Sequence, residues 1–397
     1  MGVAPVAAGA FFLMEVYVSY LDVSSLSDDL TNDVLEYMYK AARSDDGDIW
    51  RPVEAMVIRR LVELITTRGL KRLSIIQDQF LKFAKGSLYR KAAPQPTPVG
   101  YQAWSDTDID LVKSYLEGLP PEAWTIDDYM LSIDYLVHRY LPASELAAEG
   151  EWMAVRAALM GKVQANLAKE ATAKQADKAL QALPSTAADA FHQFTLNDAE
   201  KGVMAFGKAR AVENVVSLPP KVAHSMKGVV LQHLEDKMYG NPGGQFSSLE
   251  SALSDRFATL NRDWRRIAIT ESGECMNQGM IAGMKAGQKA KRIEMYIGAC
   301  EFCQKINGKI MTVVAADAKF KDPDTMIWPG KNNVGRSASP RKRVGSVLIP
   351  RTPEEMWTIP SGLAHPNCRG RWLRIADPKP GDDPDFAAWL EKTLGAK

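Results

Sequence analysis

The stretches ACEFCQKINGK, residues 299–309, and AHPNCRGRW, residues 364–372, decide how the C-terminal part of this chain folds. The first contains Cys300 and Cys303, and the second contains His365 and Cys368, so each holds two soft metal ligands separated by two residues. Three thiolates and one imidazole form a common donor set of tetrahedral structural zinc sites. The two pairs therefore predict one structural zinc site, in which four protein ligands leave no open position for a catalytic water.

The segment between the two pairs is much longer than the ~12–20 residues that separate the ligand pairs of an ordinary zinc finger. If the pairs meet, the metal pins a large irregular segment at its base. The alternative is that the three cysteines are reduced thiols buried in a small core and that the histidine belongs to a turn. The fourth cysteine, Cys275, lies on a predicted helix away from both pairs, where we expect it to be a small buried hydrophobic residue.

The composition is that of a soluble chain with a substantial core. The chain has 397 residues, of which 46% are hydrophobic and 24% are charged, which is enough for two or three domains. Its four cysteines are too few for a disulfide scaffold of this size, which favours a reducing compartment. The apolar start, residues 1–23, lacks a basic region and is interrupted by Glu15, so we interpret it as a buried or tethering segment. No uncharged run reaches the ~18 residues of a membrane span.

Charge is distributed unevenly along the chain. The formal net charge is +1, yet residues 285–351 contain 14 lysines and arginines against five acidic residues. Such a segment suits a polyanion or an acidic protein surface. Within it, glycines flank a basic cluster that predicts a mobile loop contacting the phosphates of double-stranded DNA without reading its sequence: Arg336, Arg341, Lys342 and Arg343. The alternative is a solvated loop that binds nothing, since charge runs are common.

The first two-thirds of the chain have the periodicity of helices. Apolar spacing predicts helices over residues 32–43, 52–69, 106–116, 126–140 and 144–183, and the pattern continues to Phe83 as a second helix or a bent extension. Three prolines in residues 91–100 predict a linker, and YGNPGGQF, residues 239–246, predicts a boundary. Residues 1–245 are therefore predicted to be mainly helical and without strands.

A long helix follows this boundary, with Ser247 and Glu250 at the spacing of a capping box. Beyond its apolar stripe, Gly279, Gly283 and Gly287 recur every four residues, and each glycine costs a helix about 1 kcal/mol relative to alanine. Close approach of another backbone to this small face would offset that cost.

Glu271 lies on the same predicted helix and has no cation three or four residues away. Either it faces water, or it pairs with an arginine from elsewhere, for which Arg369 and Arg371 beside the second ligand pair are the candidates. Glu271 and Cys275 are four residues apart and share one face of the helix, which we expect to turn inward. Both alternatives stay open.

After Arg292 the pattern changes to short strands. Residues 292–297, 309–314, 344–350 and 371–375 are β-branched or alternating and lie between turn signals such as Asn307-Gly308. Ten of the 22 prolines fall between Pro323 and Pro384, which implies a small sheet with long loops. The predicted fold class is therefore α+β: a mainly helical N-terminal region, a long helix and a small irregular sheet with a Cys/His metal staple.

The sequence offers little for catalysis. Four histidines lie in helical patterns without a paired nucleophile, and the fifth, His365, belongs to the predicted metal site. A GxSxG elbow, a Walker A loop and an HExxH helix are missing. We therefore expect a structural protein rather than an enzyme.

The stretch RRIAITESGECMNQGMIAG, residues 265–283, followed by CEFCQKINGK and HPNCRG, resembles the Mu F-like head morphogenesis domain of the minor head proteins of tailed phages. The resemblance covers roughly residues 250–375. The chain departs from the family pattern at two places: Ile269-Thr270-Glu271 stands where the family commonly reads RTE, and Gly370 replaces a final cysteine. The second departure leaves Cys368 as the candidate for the fourth ligand.

The resemblance implies a role in capsid assembly and in the packaging or ejection of DNA through a basic, DNA-facing domain. It assigns residues 246–376 to a head morphogenesis domain and leaves residues 377–397 as a short tail, while the helical pattern and position of residues 1–245 suggest docking on the portal or capsid. Proteins of this family are present in a few copies per virion and associate with the portal vertex. We expect a virion protein of the capsid interior, present in the host cytoplasm during assembly. Its expected partners are the portal protein, the major capsid protein and double-stranded DNA, without membrane contact. The alternative is a packaging-associated nuclease.

Overall fold

A computed structural model of the protein describes residues 56–91, 104–167, 171–240, 248–294, 299–375 and 384–395. The predicted helix over residues 32–43, most of the predicted linker and Ser247 lie outside the described residues. The described chain contains helices, one small four-stranded mixed sheet and a two-stranded hairpin, which confirms the predicted α+β class.

The helices and strands are numbered here in chain order. The described helices are α1 (Met56–Ala84), α2 (Asp106–Gly118), α3 (Ile126–Tyr140), α4 (Ala143–Asn166), α5 (Ala173–Ala182), α6 (Ala187–Gln193), α7 (Asp198–Val216), α8 (Leu218–Tyr239), α9 (Leu249–Ala282), α10 (Glu301–Ile306) and α11 (Pro384–Leu394). The described strands are β1 (Lys289–Ile293), β2 (Ile310–Val313), β3 (Met326–Ile327), β4 (Arg341–Val344), β5 (Val347–Pro350) and β6 (Arg371–Arg374). No described helix has both the length and the apolar character that crossing a bilayer requires.

Capping boxes explain why α2 and α3 begin where the sequence predicts. Ser105 accepts a hydrogen bond from the backbone N–H of Asp108, and the carboxylate of Asp108 accepts one from the backbone N–H of Ser105. Thr125 and Asp128 repeat this arrangement at α3. Each box satisfies backbone donors that a helix start leaves unpaired. The helices predicted over residues 106–116 and 126–140 are confirmed.

One helix prediction is decided by the structure and another needs correction. Helix α1 continues past Gly69 to Ala84 as an extension of the first predicted helix, and that glycine serves packing, since a Cβ there would lie 1.8 Å from Cε2 of Trp264. The alanine-rich pattern over residues 144–183 forms two helices, α4 and α5. The second of them starts at a separate capping box formed by Thr172 and Gln175.

The main sheet has four strands in the order β3-β2-β1-β6. Strand β1 pairs antiparallel with β2 and with β6, whereas β2 pairs parallel with β3. The first strand begins at Lys289, earlier than predicted. The strand predicted over residues 344–350 is instead the second half of a separate hairpin of β4 and β5, which turns at Gly345 with φ of 59°.

The chain forms two compact units, each built from separate stretches on both sides of residue 245. The first contains the described parts of residues 66–148 and 213–264, and the second contains those of residues 56–65, 149–212 and 265–395. In the first unit, α3 packs against α2 and α8, and Lys227 Nζ lies 2.6 Å from Asp134 Oδ1.

The second unit has a helical core and a smaller core beneath the sheet. The helical core joins residues of α4 to α7 and α9 with Phe386 and Leu390 of α11, so the segment predicted as a short tail contributes to it. Beneath the sheet, Met280 and Ile281 near the end of α9 pack with Ala290 of β1 and Trp372 of β6.

Helices α4 and α9 approach closely through glycines. A Cβ at Gly279 would lie 2.2 Å from the carbonyl oxygen of Ala158, and one at Gly161 would lie 2.2 Å from that of Met276. At Gly283 a Cβ would lie 3.3 Å from Cα of Lys162. The predicted face of small residues is therefore formed by Gly279 and Gly283, and Gly161 of α4 packs against it.

Gly287 does not belong to this face. It follows the end of α9, has a φ of 87°, and has no atom within 4 Å of the place where a Cβ would stand. Its role is conformational, because a left-handed backbone favours glycine.

We expect Gly161→Ala to lower the free energy of unfolding by about 1–3 kcal/mol, because its Cβ would overlap a backbone carbonyl that cannot move aside. The matched control is Gly202→Ala in α7, where nothing lies within 4 Å of the new Cβ. That change should be neutral or stabilise the protein by up to about 1 kcal/mol. Urea denaturation followed by circular dichroism measures both, and equal stability of the two variants would contradict the close approach.

Candidate metal centre

The first ligand pair lies at the start of a short helix. Cys300 is the N-cap of α10 in an extended conformation, and Cys303 follows one turn later, so the two sulfurs face the same side. After α10 the chain turns at Gly308, with φ of 79°, and enters β2. Cys303 is fully buried, whereas Cys300 is exposed, which places this pair at the edge of the protein.

The second ligand pair lies in a tight turn before β6. The backbone N–H of Cys368 donates to the carbonyl of His365 over 3.1 Å. Between them Asn367 has a φ of 62°, a conformation that asparagine tolerates better than most residues. Its backbone N–H donates to Oγ1 of Thr270 over 2.9 Å, which fixes the turn to α9.

The turn has further polar contacts with α9. Asn277 is fully buried; its Nδ2 donates to the carbonyl of Gly370 over 2.8 Å, and its Oδ1 accepts from the backbone N–H of Trp372 over 3.1 Å. Glu274 accepts from the backbone N–H of Leu363. The long helix therefore holds the backbone of the second ligand pair on both sides.

The two pairs meet. Nε2 of His365 lies 3.3 Å from Sγ of Cys300 and 3.3 Å from Sγ of Cys303. Sγ of Cys303 lies 3.9 Å from Sγ of Cys368. Ligand atoms on a tetrahedral zinc ion, with bonds of about 2.3 Å to sulfur and 2.0–2.1 Å to nitrogen, are separated by roughly 3.5–3.8 Å. The cluster could therefore hold a metal ion.

The potential ligand atoms form two overlapping groups. Cys300, Cys303 and His365 have ligand atoms within 4.8 Å of one another, and so do Glu294, Cys303 and Cys368. Cys303 belongs to both groups and connects Cys368 to the others. In the part of the chain that the structure describes, these are the groups with the composition and spacing of a metal site.

A hydrogen bond orients the imidazole ring of His365. Its Nδ1 lies 2.9 Å from the carbonyl oxygen of Pro366, and a proton on Nδ1 that donates to this oxygen leaves the Nε2 lone pair toward the sulfurs. Burial alone would lower the pKa of His365, but this hydrogen bond and the neighbouring thiolates raise it. Burial would raise the pKa of Cys300, but hydrogen bonds from Cys303 and His365 lower it. Both shifts favour a Cys300 thiolate beside a protonated imidazole, whose proton a metal ion bound at Nε2 would displace.

A fully buried ion pair lies next to Cys368 of the cluster. Nε of Arg292 lies 2.7 Å from Oε1 of Glu294, and Nη1 of Arg292 donates to the carbonyl of Gly362 over 2.8 Å. Sγ of Cys368 lies 3.6 Å from Oε2 of Glu294. Burial raises the pKa of Glu294, and the charge of Arg292 opposes that rise. The sequence analysis missed this pair, although two charged residues spaced by two on a predicted strand share one face.

The same ion pair explains the glycine at position 370. A Cβ there would lie 2.1 Å from Oε1 of Glu294, whose carboxylate is held by Arg292. A cysteine at this position, as in the family pattern, would therefore collide with the buried carboxylate.

Glu271 is buried and has an arginine partner that the sequence analysis did not consider. Nε of Arg210 in α7 lies 3.3 Å from Oε2 of Glu271, and Nη1 of Arg210 lies 3.8 Å from Oε1 of Glu274. Burial raises the pKa of the adjacent Cys275 to about 12, which keeps it a neutral thiol. No periodic signal could have singled out Arg210, because it lies on a different helix, 61 residues away.

Arg369 and Arg371, the predicted partners of Glu271, lie next to Cys368 in the sequence. Arg371 is buried at the start of β6, and Arg369 precedes it by two residues. Both take part in interactions, and the pairing of either with Glu271 stays a prediction.

The predicted basic loop is a hairpin rather than an irregular mobile segment, because β4 and β5 pair over four residues each. Arg341 and Arg343 are exposed, whereas Lys342 pairs with Glu355. Arg336 precedes the hairpin and is half-buried; its Nη1 donates to the carbonyl of Met356 over 3.1 Å. Only part of the predicted DNA-contacting set is therefore open to a partner.

Comparison of the chain with known protein families, with curated proteins and with solved structures gives no match. The functional interpretation therefore depends on the residues described above and on the resemblance in their sequence.

We expect Arg292→Met to lower the free energy of unfolding by about 3–5 kcal/mol, because it leaves the Glu294 carboxylate buried without its partner. A double variant with Glu294→Leu removes both charges and should cost clearly less than this single variant, since apolar replacements of a buried pair are often close to neutral. Urea denaturation of the wild type, both single variants and the double variant measures the coupling. Additive losses in the double variant would show that the two side chains do not stabilise each other.

Proposed function

We propose that this protein is a structural minor head protein of a tailed phage, with a metal-stapled C-terminal region that faces DNA. The observation that carries the proposal is the meeting of the two sequence motifs that resemble the head morphogenesis domain. Nε2 of His365 lies 3.3 Å from both sulfurs of the first motif, although the motifs are far apart in the sequence. The long helix that completes the resemblance holds the second motif through Thr270 and Asn277.

Within this proposal the metal is a structural zinc ion bound by Cys300, Cys303, His365 and Cys368. A donor set rich in thiolates favours zinc over magnesium or calcium, which prefer oxygen ligands. Four protein donors leave no coordination position for a reacting water. The core at this site is small, which is the situation in which a structural metal contributes most to stability.

The location and partners follow from the resemblance. The protein would occupy the capsid interior near the portal vertex, in contact with the portal protein and the major capsid protein, after assembly in the host cytoplasm. Its basic segment, residues 285–351, would contact packaged double-stranded DNA through phosphates. In the described part of the predicted docking region, residues 1–245, the regular secondary structure is helical.

The zinc assignment predicts about one zinc ion per chain in protein purified without chelators. Cys368→Ala should lose most of this zinc, because it removes one of four ligands. The matched control is Cys275→Ala, which removes a buried cysteine away from the cluster and should keep the zinc. Inductively coupled plasma mass spectrometry of the three proteins measures the metal content. Equal zinc content in both variants would contradict the assignment.

The virion assignment predicts that the protein is found in purified phage particles at a few copies per particle. Quantitative mass spectrometry against the portal and major capsid proteins of the same particles provides the ratio. DNA-free heads should contain it as well, because a structural head component does not depend on packaged DNA. Absence from particles, or a copy number comparable with that of the major capsid protein, would contradict the assignment.

A further inference from the structure

The hairpin of β4 and β5 has one face that is open along its whole length. Arg341 pairs with Pro350 and Arg343 pairs with Leu348, and directly opposed residues lie on the same face of an antiparallel ribbon. All four are exposed, and Leu348 is 55% exposed. This face therefore combines two arginines with two apolar side chains.

The opposite face of the hairpin is anchored to the protein at its base. Lys342 and Ile349 are half-buried there, and Lys342 pairs with Glu355. Toward the turn this face ends in Val344 and Val347, which oppose each other and are 55% and 59% exposed. The hairpin thus projects an apolar tip from a basic ribbon, and exposed apolar side chains of this kind mark interaction surfaces.

We propose that this hairpin lies in the major groove of duplex DNA, with Arg341 and Arg343 bound to backbone phosphates. The proposal rests on the DNA contact in the proposed function and assigns that contact to one element. The charge is complementary, since both exposed side chains of the ribbon that carry charge are basic and the surrounding segment has 14 basic against five acidic residues.

The chemistry of the ribbon disfavours two other occupants. A second copy paired along the β4 edge would bring the arginines of both copies together, and opposed like charges destabilise a strand pair. An anionic membrane surface is usually bound through aromatic anchors, whereas the exposed apolar side chains near this tip are the aliphatic Val344, Val347 and Leu348.

The dimensions of the ribbon fit the major groove. Two strands lie about 4.7–4.9 Å apart, and the major groove, about 12 Å wide, admits a two-stranded ribbon, whereas the minor groove is only about 6 Å wide. Arg341 and Arg343 are separated by about 6.8 Å along the strand, which equals the rise of about two base pairs. Both guanidinium groups therefore reach phosphates along one wall of the groove. Aliphatic side chains offer the bases no hydrogen bonds, so the contact is weakly dependent on sequence.

The test compares two charge-matched double variants of the full chain. Arg341→Gln with Arg343→Gln removes the hairpin charges, and Lys305→Gln with Lys319→Gln removes two exposed charges outside the hairpin. Binding to a duplex of mixed sequence is measured by fluorescence anisotropy over a range of salt concentrations. Circular dichroism and thermal unfolding of both variants should match the wild type, because all four side chains are exposed.

The hairpin variant should make the negative slope of log K against log salt shallower by about 1.8, since each of the two lost phosphate contacts contributes about 0.9. The control variant should keep the wild-type slope. Equal reductions in both variants would overturn the hairpin assignment and leave DNA binding in place. Absence of salt-dependent binding by the wild type would instead remove the DNA contact from the proposed function.

Groove and partner class are tested separately. Methyl green, which occupies the major groove, should displace the protein from DNA. Netropsin, which occupies the minor groove, should not displace it. The reverse result overturns the groove assignment.

Sedimentation with phosphatidylglycerol vesicles tests whether the hairpin binds a membrane surface instead of DNA. If the hairpin variant loses vesicle binding but keeps its DNA binding, the hairpin is a membrane element and the proposal is wrong.

Discussion

The contact between His365 and the two cysteines of the first motif connects positions 65 and 62 residues apart in the sequence. Closing a loop of this length costs conformational entropy, which must be offset by interactions at its base. Cys303 leads through α10 into β2, and Cys368 leads into β6. The two ligand pairs therefore lie just before the two strands that flank β1.

The surroundings of the cluster show how a small core supports such a contact. The Arg292–Glu294 pair lies fully buried beside Cys368 and also holds the loop at Gly362. Because neither charge reaches water, each is stable only in the presence of the other. The absence of a side chain at Gly370 is part of the same arrangement, since the carboxylate occupies that space. These features make the position of Cys368 a property of the fold, to which a metal would add.

Local signals in the sequence explain what could be predicted. Helices α2 and α3 were predictable from the spacing of their apolar residues, and in the structure they begin at capping boxes formed by Ser105 and Thr125. The cluster of Cys300, Cys303, His365 and Cys368 was predictable because the two ligands of each pair lie within four residues of chain. The partner of Glu271 was not, because Arg210 belongs to another helix and only tertiary packing brings it near. The first strand of the hairpin, Arg341–Val344, was predicted as part of a loop because it lacks the β-branched pattern of a half-buried strand.

The long helix α9 links the helical and strand-rich parts of the second unit. Its glycine face receives α4, and its polar residues Thr270 and Asn277 bind the backbone around the second ligand pair. The stretch over residues 265–283 therefore contacts both the helical core and the segment that carries His365 and Cys368. A change on the helix is expected to reach the cluster through hydrogen bonds to its backbone.

X-ray absorption at the zinc K-edge of the purified full chain tests the central claim most directly. The account predicts a first shell of three sulfur atoms at about 2.3 Å and one nitrogen atom at about 2.0–2.1 Å. A shell of oxygen and nitrogen atoms alone would contradict it, because the ion would then be held outside the cluster of Cys300, Cys303, His365 and Cys368.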